Sequence, residues 1–235
     1  MKQFASSCYY IIICLIVLLS GCLPQYWIYD YPISFSEERI SLTKVYINRH
    51  YGLEEDHFNI IPKIIVLHWT ALPTFEKSYS AFNREYVILQ GQIYHDKLNV
   101  SSHFLVDRNG KIFRLLPETW MAKHVIGISY CAVGIENVGG SKGKDDLTRE
   151  QVQANAWLVR YLVSKYPTIE YLIGHHQYRA FEHHPLFLER EDDHRNIKID
   201  PGDAFVNEVR DMVKDLRLKG VQDILLEAEQ YQENH

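Results

Sequence analysis

Hydrophobic residues along the chain form short runs separated by polar segments, and each run indicates its own type of element. The most apolar of these runs is Ile64-Ile65-Val66-Leu67, with four consecutive aliphatic residues. Such a run predicts a strand that is buried on both faces. A single polar residue, His68, ends it, so an imidazole is expected at the rim of a sheet. Similar apolar stretches predict strands at Ala132 to Val138 and at Tyr171 to Ile173.

A second pattern predicts a hairpin over Ser102 to Leu116. Two apolar stretches flank Asp107-Arg108-Asn109-Gly110, and the Asn-Gly pair is a strong signal for a tight turn.

Helical periodicity appears in four places. Thr148 and Gln151 have the spacing of a capping box, and they precede a helix whose apolar residues share one face: Val152, Ala156, Val159 and Val163. The other predicted helices are Glu76 to Gln90, Val206 to Leu218 and Val221 to Tyr231. Because strands and helices interleave, we predict an α/β fold: a single domain with a central mixed β-sheet flanked by helices.

Two segments lack a clear period. Residues 23–60 are aromatic and charged, and we expect a tether that leads into irregular structure packed on the domain. Residues 176–197 are rich in histidine and acidic residues, and we expect a long polar loop. The predicted division is a signal peptide at 1–21, an N-terminal extension at 22–60, the main domain at 61–206 and a helical tail at 207–235.

The first 21 residues have the features of a bacterial export signal, with a positive Lys2 and an apolar stretch from Tyr9 to Leu19. Leu19-Ser20-Gly21-Cys22 resembles a lipobox, which implies cleavage before Cys22 and acylation of its thiol. The alternatives are an ordinary signal peptide and an uncleaved anchor. Leu23 follows the cysteine in place of the aspartate that retains such lipoproteins at the inner membrane. The resemblance therefore implies an outer-membrane lipoprotein that faces the periplasm.

Composition restricts the possible functions. The 235 residues carry a net charge of −5, which gives no support for nucleic-acid binding. Three of the four cysteines precede residue 23, so a disulfide framework is not expected. We expect a monomer.

Three polar residues lie at or just beyond the end of an apolar element: His68, His175 and Asp200. Two imidazoles and a carboxylate are a suitable ligand set for Zn²⁺ with a fourth position open to water. Each residue also has an ordinary explanation. His68 could be a core histidine, His175 a solvated loop residue, and Asp200 the N-cap of a helix that starts at Pro201. Four further histidines compete for a ligand role: His176, His183, His184 and His194.

Two more charged residues are candidates for chemistry. Glu136 lies within the predicted apolar strand, where a carboxylate is costly to bury unless it is paired or functional. Alternation along the strand would also allow it to face solvent. Lys198 precedes Asp200 by two positions, and its ordinary explanation is a surface lysine.

Six motifs in order resemble the zinc-dependent N-acetylmuramoyl-L-alanine amidases of type 2, which are related to phage amidases and peptidoglycan recognition proteins. They are Val66-Leu67-His68-Trp69-Thr70-Ala71, Ser102-His103 with Asn109-Gly110-Lys111, Lys123-His124, Gly134-Ile135-Glu136, Gly174-His175 and Lys198-Ile199-Asp200-Pro201-Gly202. The resemblance covers about residues 61–206. It implies one zinc held by His68, His175 and Asp200, with Glu136 as catalytic acid/base and Lys198 as the group that stabilises the oxyanion. It also places His103 and His124 near the substrate groove.

The implied reaction is hydrolysis of the amide bond between the lactyl group of N-acetylmuramic acid and L-alanine of the stem peptide. The expected partners are peptidoglycan or muropeptides, and a membrane reached through the lipid on Cys22. The long segment between His175 and Lys198 departs from the family pattern. Two other functions stay open: a peptidoglycan-binding module without catalysis, and a zinc peptidase that cuts elsewhere in the stem.

Overall fold

A computed structural model describes residues 26–54, 58–191 and 194–234. Its strands are β1 (Ile28–Asp30), β2 (Ile64–Trp69), β3 (Tyr86–Leu89), β4 (Gln92–Leu98), β5 (Phe104–Val106), β6 (Ile112–Arg114), β7 (Ala132–Asn137) and β8 (Tyr171–Gly174). Its α-helices are α1 (Glu37–Tyr51), α2 (Phe75–Asn83), α3 (Arg149–Lys165), α4 (Asp203–Met212) and α5 (Val221–Asn234).

Six strands form one mixed sheet in the order β1-β6-β5-β7-β2-β8. Only the β5–β6 pair is antiparallel within this sheet, and its other neighbours run parallel. Helices α3 and α4 cover one face, where Val159 and Val206 join the core side chains of β2 and β7. Ile224 of α5 joins a cluster with Ile64 and Ile173 on the other side. The predicted mixed sheet flanked by helices is confirmed.

Strand β2 lies between β7 and β8, and all six of its residues are buried. This burial confirms the prediction made from its aliphatic run. The predicted hairpin is also present as β5 and β6, and Gly110 in its turn has a φ of +80°. That left-handed conformation is why a glycine suits this position.

The predicted helix over Glu76 to Gln90 is wrong in its second half. Helix α2 ends at Asn83, and the chain then forms a separate antiparallel hairpin from β3 and β4. The run Tyr86-Val87-Ile88 consists of aromatic and β-branched residues that favour strands. The turn at Gln90 and Gly91 takes φ values of +51° and +81°, which suit a tight hairpin.

The capping box at Thr148 is confirmed, with reciprocal bonds between Thr148 and Gln151 at the start of α3. The two C-terminal helices are also present, although the first of them, α4, spans Asp203–Met212 and both starts and ends earlier than the predicted Val206 to Leu218. Within the described ranges, every helix is too short or too polar to cross a membrane.

The expectation of irregular structure before residue 60 is wrong for much of that segment. Strand β1 extends the main sheet by pairing in parallel with β6. Helix α1 begins after Ser36, whose side chain accepts hydrogen bonds from two backbone N–H groups, and it ends at Gly52 with a φ of +65°. Its Leu42, Tyr46 and Ile47 are buried, so the extension forms part of the core.

Residues 176–197 are also more ordered than a polar loop. A 3₁₀ helix covers His175–Phe181, and the side chains of Tyr178 and Phe181 are fully buried. The Tyr178 hydroxyl donates to the Asn196 carbonyl over 2.7 Å, which ties the far end of the segment back to its start.

Candidate metal centre

The strand register brings three of the predicted site residues together. Glu136 on β7 is the direct partner of His68 on β2. On the other side of β2, Leu67 is paired with Gly174, so His175 follows at the same level as His68. Because the carboxyl ends of these parallel strands lie along one edge, side chains distant in sequence converge there.

Asp200 completes the group from the segment that precedes α4. Its Oδ2 lies 3.0 Å from Nδ1 of His175 and 3.5 Å from Nδ1 of His68. The His176 backbone N–H donates to the Asp200 carbonyl over 2.8 Å and holds this segment against the 3₁₀ helix. The ligand atoms of His68, His175 and Asp200 all lie within 4.8 Å of one another, which is a possible metal-binding group.

A hydrogen-bond chain sets the tautomer of His68. Nε2 of His124 lies 3.2 Å from the Ala132 carbonyl, which can only accept, so this nitrogen must carry the proton. Nδ1 of neutral His124 is then an acceptor, and it lies 3.0 Å from Nε2 of His68. His68 must donate from Nε2, which leaves a lone pair on Nδ1 towards Asp200. Burial, followed by the neighbouring His68 and His103 rings, holds the pKa of His124 well below its ordinary value and keeps its ring neutral.

Glu136 lies beside this group and is 8% exposed. Its Oε1 is 4.0 Å from Nδ1 of His68, and its Oε2 has no hydrogen-bond partner among the described residues. Burial raises the pKa of Glu136 to about 7; His68 and Lys198 oppose the shift, and Asp200 adds to it. A carboxyl group with this pKa can both accept and release a proton near neutral pH.

The other charges of the site also depend on one another. Burial alone would raise the pKa of Asp200, but the hydrogen bond from His175 and the neighbouring His175 and His68 rings outweigh it and hold this pKa far below its usual value. Burial lowers the pKa of His175 to about 4. Lys198 adds to that lowering, so its charge acts on His175 as well as on Glu136. The long segment after His175 therefore leaves Lys198 close enough for its charge to act on both residues.

His103 does not offer a ring nitrogen to a substrate. Its Nδ1 accepts from the Gly134 backbone N–H over 3.0 Å, and its Nε2 donates to the Trp120 carbonyl over 2.8 Å. The side chain is fully buried, and burial lowers its pKa to about 4. We therefore reassign His103 from the groove to the core, and His124 from the groove to the support of His68.

Of the competing histidines, two have partners of their own. Nε2 of His176 lies 2.8 Å from Asp203 and that of His184 lies 3.3 Å from Glu227. His194 belongs to a different group, and His183 is exposed.

The alternative role of Asp200 as a helix cap is also wrong, because Gly202 holds that position without a side-chain bond.

The family model for N-acetylmuramoyl-L-alanine amidases (Amidase_2) matches residues 59–203, which is more than half of the chain. The chain belongs to this amidase family. The matched span contains the candidate residues His68, Glu136, His175, Lys198 and Asp200, and it ends at the first residue of α4.

The chain is also similar to several solved structures. The chain is similar to the endolysin N-acetylmuramoyl-L-alanine amidase LysCS from Clostridium intestinale, with 20% identity, a TM-score of 0.51, and coverage of 84% of this chain and 98% of that one. An AmpD derivative matches with 22% identity, a TM-score of 0.48 and coverage of 81% and 95%. Drosophila peptidoglycan recognition protein SA matches with 18% identity, a TM-score of 0.46 and coverage of 68% and 83%. No curated protein sequence matches significantly.

One site prediction cannot be compared with the structure, and one group of possible ligands was not predicted. Cys22, the predicted lipidation site, lies outside the described residues. A second group of possible ligands, His50, Glu189 and His194, was missed by the sequence analysis, except that His194 was considered as a rival ligand. No local motif marks this second group, because His50 and Glu189 are 139 positions apart.

Proposed function

We propose that this amidase is zinc-dependent and hydrolyses the amide bond between the lactyl group of N-acetylmuramic acid and L-alanine of the stem peptide. One observation carries the proposal: Glu136, with its raised pKa, lies beside the convergent His68, His175 and Asp200. Family membership supports the amide as the bond that is cut.

The residues present fit a zinc ion. They offer two imidazoles and one carboxylate, they are largely buried, and the tautomer of His68 leaves Nδ1 unprotonated. This is a donor set of catalytic zinc sites, in which three protein ligands leave one position open. Zinc bound there would polarise the scissile carbonyl and make a water molecule more acidic.

Glu136 is the proposed acid/base of the reaction. It would take a proton from the attacking water and pass it to the leaving nitrogen of L-alanine. Its Oε2, which has no hydrogen-bond partner in the described parts of the chain, is available for that proton. The positive charge of Lys198, which acts on this same carboxyl group, would stabilise the negative oxygen of the tetrahedral intermediate.

The test is mass analysis of muropeptides after incubation with the purified full-length chain in detergent. We expect intact stem peptides that begin with L-alanine, loss of this product after treatment with a chelator, and recovery on addition of zinc. The variant His183→Ala, which changes an exposed histidine of the same segment, is the matched control and should behave as wild type.

Two results would contradict the proposal. Binding of muropeptides without any cleavage would leave a peptidoglycan-binding module. Fragments cut within the stem peptide would indicate a zinc peptidase.

A further inference from the structure

A second cluster of possible metal ligands joins the end of α1 to the segment that follows the 3₁₀ helix. Nδ1 of His50 lies 2.8 Å from Oε1 of Glu189, and the rings of His50 and His194 are 4.7 Å apart between centroids. The ligand atoms of all three residues lie within 4.8 Å of one another. None of the three is among the residues of the proposed amidase site.

Glu189 is a buried carboxylate with one oxygen that lacks a hydrogen-bond partner among the described residues. Its side chain has no exposed surface. Oε1 faces His50 and also accepts from the Glu191 backbone N–H over 2.9 Å, whereas Oε2 has no hydrogen-bond partner among the described residues. Buried carboxylate oxygens are normally bonded, because loss of hydration is costly. A plain ion pair between His50 and Glu189 leaves this oxygen unexplained.

We propose that His50, Glu189 and His194 form a second site for a divalent transition metal, with Zn²⁺ as the probe. Two imidazoles and one carboxylate suit zinc and related ions. The ligands would need to converge by a small side-chain movement, since zinc binds nitrogen and oxygen at about 2.0–2.2 Å. The site would join two distant segments of the chain, and it does not depend on the proposed amidase chemistry.

The surrounding contacts already hold the ligands in place. The Arg190 backbone N–H donates to the His50 carbonyl over 2.9 Å, and Arg49 and Glu191 form an ion pair at 3.1 Å. Tyr46 stacks on the His50 ring with centroids 4.1 Å apart. A bound metal would therefore link α1 to this segment at a point where backbone and side chains already meet.

Positive side chains oppose a bound cation here: Lys123, Lys97 and Arg49 line the same cavity of about 230 Å³ as two of the proposed ligands. Burial and Lys97 lower the pKa of Lys123 to about 8, and its Nζ donates to the Leu98 carbonyl over 2.8 Å. Burial, with help from His50 and Lys123 and against Glu189, lowers the pKa of His194, which favours the neutral ring that binds metals.

The experiment measures zinc content of the full-length chain after equilibration with buffered zinc. We expect two equivalents in wild type and one in Glu189→Gln, which keeps the side-chain shape and removes the charge. His194→Ala should also hold one equivalent, and it provides an independent variant if Glu189→Gln folds poorly. The matched control His183→Ala should keep two.

Two further readouts test the assignment in a His68→Ala/His175→Ala background, where the proposed amidase site is disabled. Saturating zinc should raise the melting temperature by about 5 °C, and this rise should vanish when Glu189→Gln is added. Lys123→Met should tighten zinc binding, about tenfold, because a neighbouring positive charge is removed.

The proposal is overturned if Glu189→Gln and His194→Ala both bind as much zinc as wild type, or if His183→Ala binds one equivalent less. A failure of the amidase proposal would look different, because it would remove the expected cleavage product or the zinc that depends on His68 and His175, and would leave the Glu189-dependent zinc unchanged.

Discussion

At the scale of single residues, the decisive feature is the Glu136 carboxyl group, which lies beside the possible metal ligands and whose Oε2 has no hydrogen-bond partner among the described residues. Glu136→Gln removes the proton-accepting group and keeps the shape of the side chain. We expect amide hydrolysis to fall by about 10²–10⁴-fold, while zinc content and folding stay unchanged. The measurements are product formation from muropeptides, zinc analysis and thermal unfolding. Glu229→Gln, which changes an exposed carboxylate on α5, is the control. Wild-type turnover in Glu136→Gln with bound zinc would refute the role given to Glu136.

His124 acts on the site through His68. His124→Phe retains a ring of similar size but cannot accept the proton of His68 Nε2, so the tautomer of His68 is no longer set. We expect zinc affinity to fall by about 10–100-fold, the range typical of lost outer hydrogen bonds at metal ligands. The affinity should be measured by competition with a chromophoric chelator in a Glu189→Gln background, so that the second site does not contribute. An unchanged affinity would show that His124 has only a packing role.

At the scale of elements, the start of α3 fastens the helix to the sheet. Thr148 Oγ1 accepts from the Gln151 backbone N–H and donates to the Arg108 carbonyl over 2.7 Å, and the Gln151 side chain reaches two strand-end carbonyls. We expect Thr148→Ala to lower the free energy of unfolding by about 1–2 kcal/mol in urea titrations. Thr148→Ser keeps the hydroxyl, so its free energy of unfolding should fall much less. Equal losses in both variants would mean that the methyl group matters more than the cap.

At the scale of the whole molecule, buried neutral histidines make stability depend on pH. The pKa of His103 falls from 6.5 to about 4 on folding. Well above pH 6.5, His103 is neutral in both the folded and the unfolded chain, so it does not change the free energy of unfolding. As the pH falls towards 4, the unfolded chain binds a proton that the folded chain excludes, and the free energy of unfolding therefore decreases.

For His103 alone, we expect the free energy of unfolding to fall by about 2 kcal/mol between pH 7 and pH 5. His103→Gln cannot titrate, so its stability should fall less than that of wild type over the same range. Urea unfolding at both pH values measures the difference. Parallel pH dependence in the two proteins would contradict the neutral, buried state of His103.

The lipid anchor also concerns the molecule as a whole, and it stays a prediction from the sequence. Cys22→Ser should abolish incorporation of labelled fatty acid and release the protein from membranes or block its processing. Cys131→Ser is the control, because Cys131 is a buried free thiol. Processing at the same bond with continued membrane attachment in Cys22→Ser would exclude acylation as the anchor.

The elements that could be predicted from the sequence are those specified by short-range chemistry. The aliphatic run of β2, the Asn109-Gly110 turn and the capping box at Thr148 each depend on a few neighbouring residues, and each is confirmed. His68, His175 and Asp200 could be identified as candidates because each lies at or just beyond an apolar element, and Glu136 because it lies within one. The family resemblance assigned the roles of these four residues and of Lys198. The strand register places His68, Glu136 and His175 at one edge, and only the tertiary structure brings Asp200 to them.

What the tertiary structure alone decided depends on contacts between distant parts of the chain. The pairing of β1 with β6 gives the N-terminal segment its place in the sheet, and a hairpin replaces the second half of a predicted helix. The rings of His103 and His124 are buried and bonded to backbone carbonyl groups from other segments of the chain. They therefore lie in the core and beside His68, and not at the substrate groove as expected. His50 and Glu189 are 139 positions apart and meet because α1 packs against the segment after the 3₁₀ helix. No local pattern encodes such a meeting, because it results from the free energy of packing the whole chain.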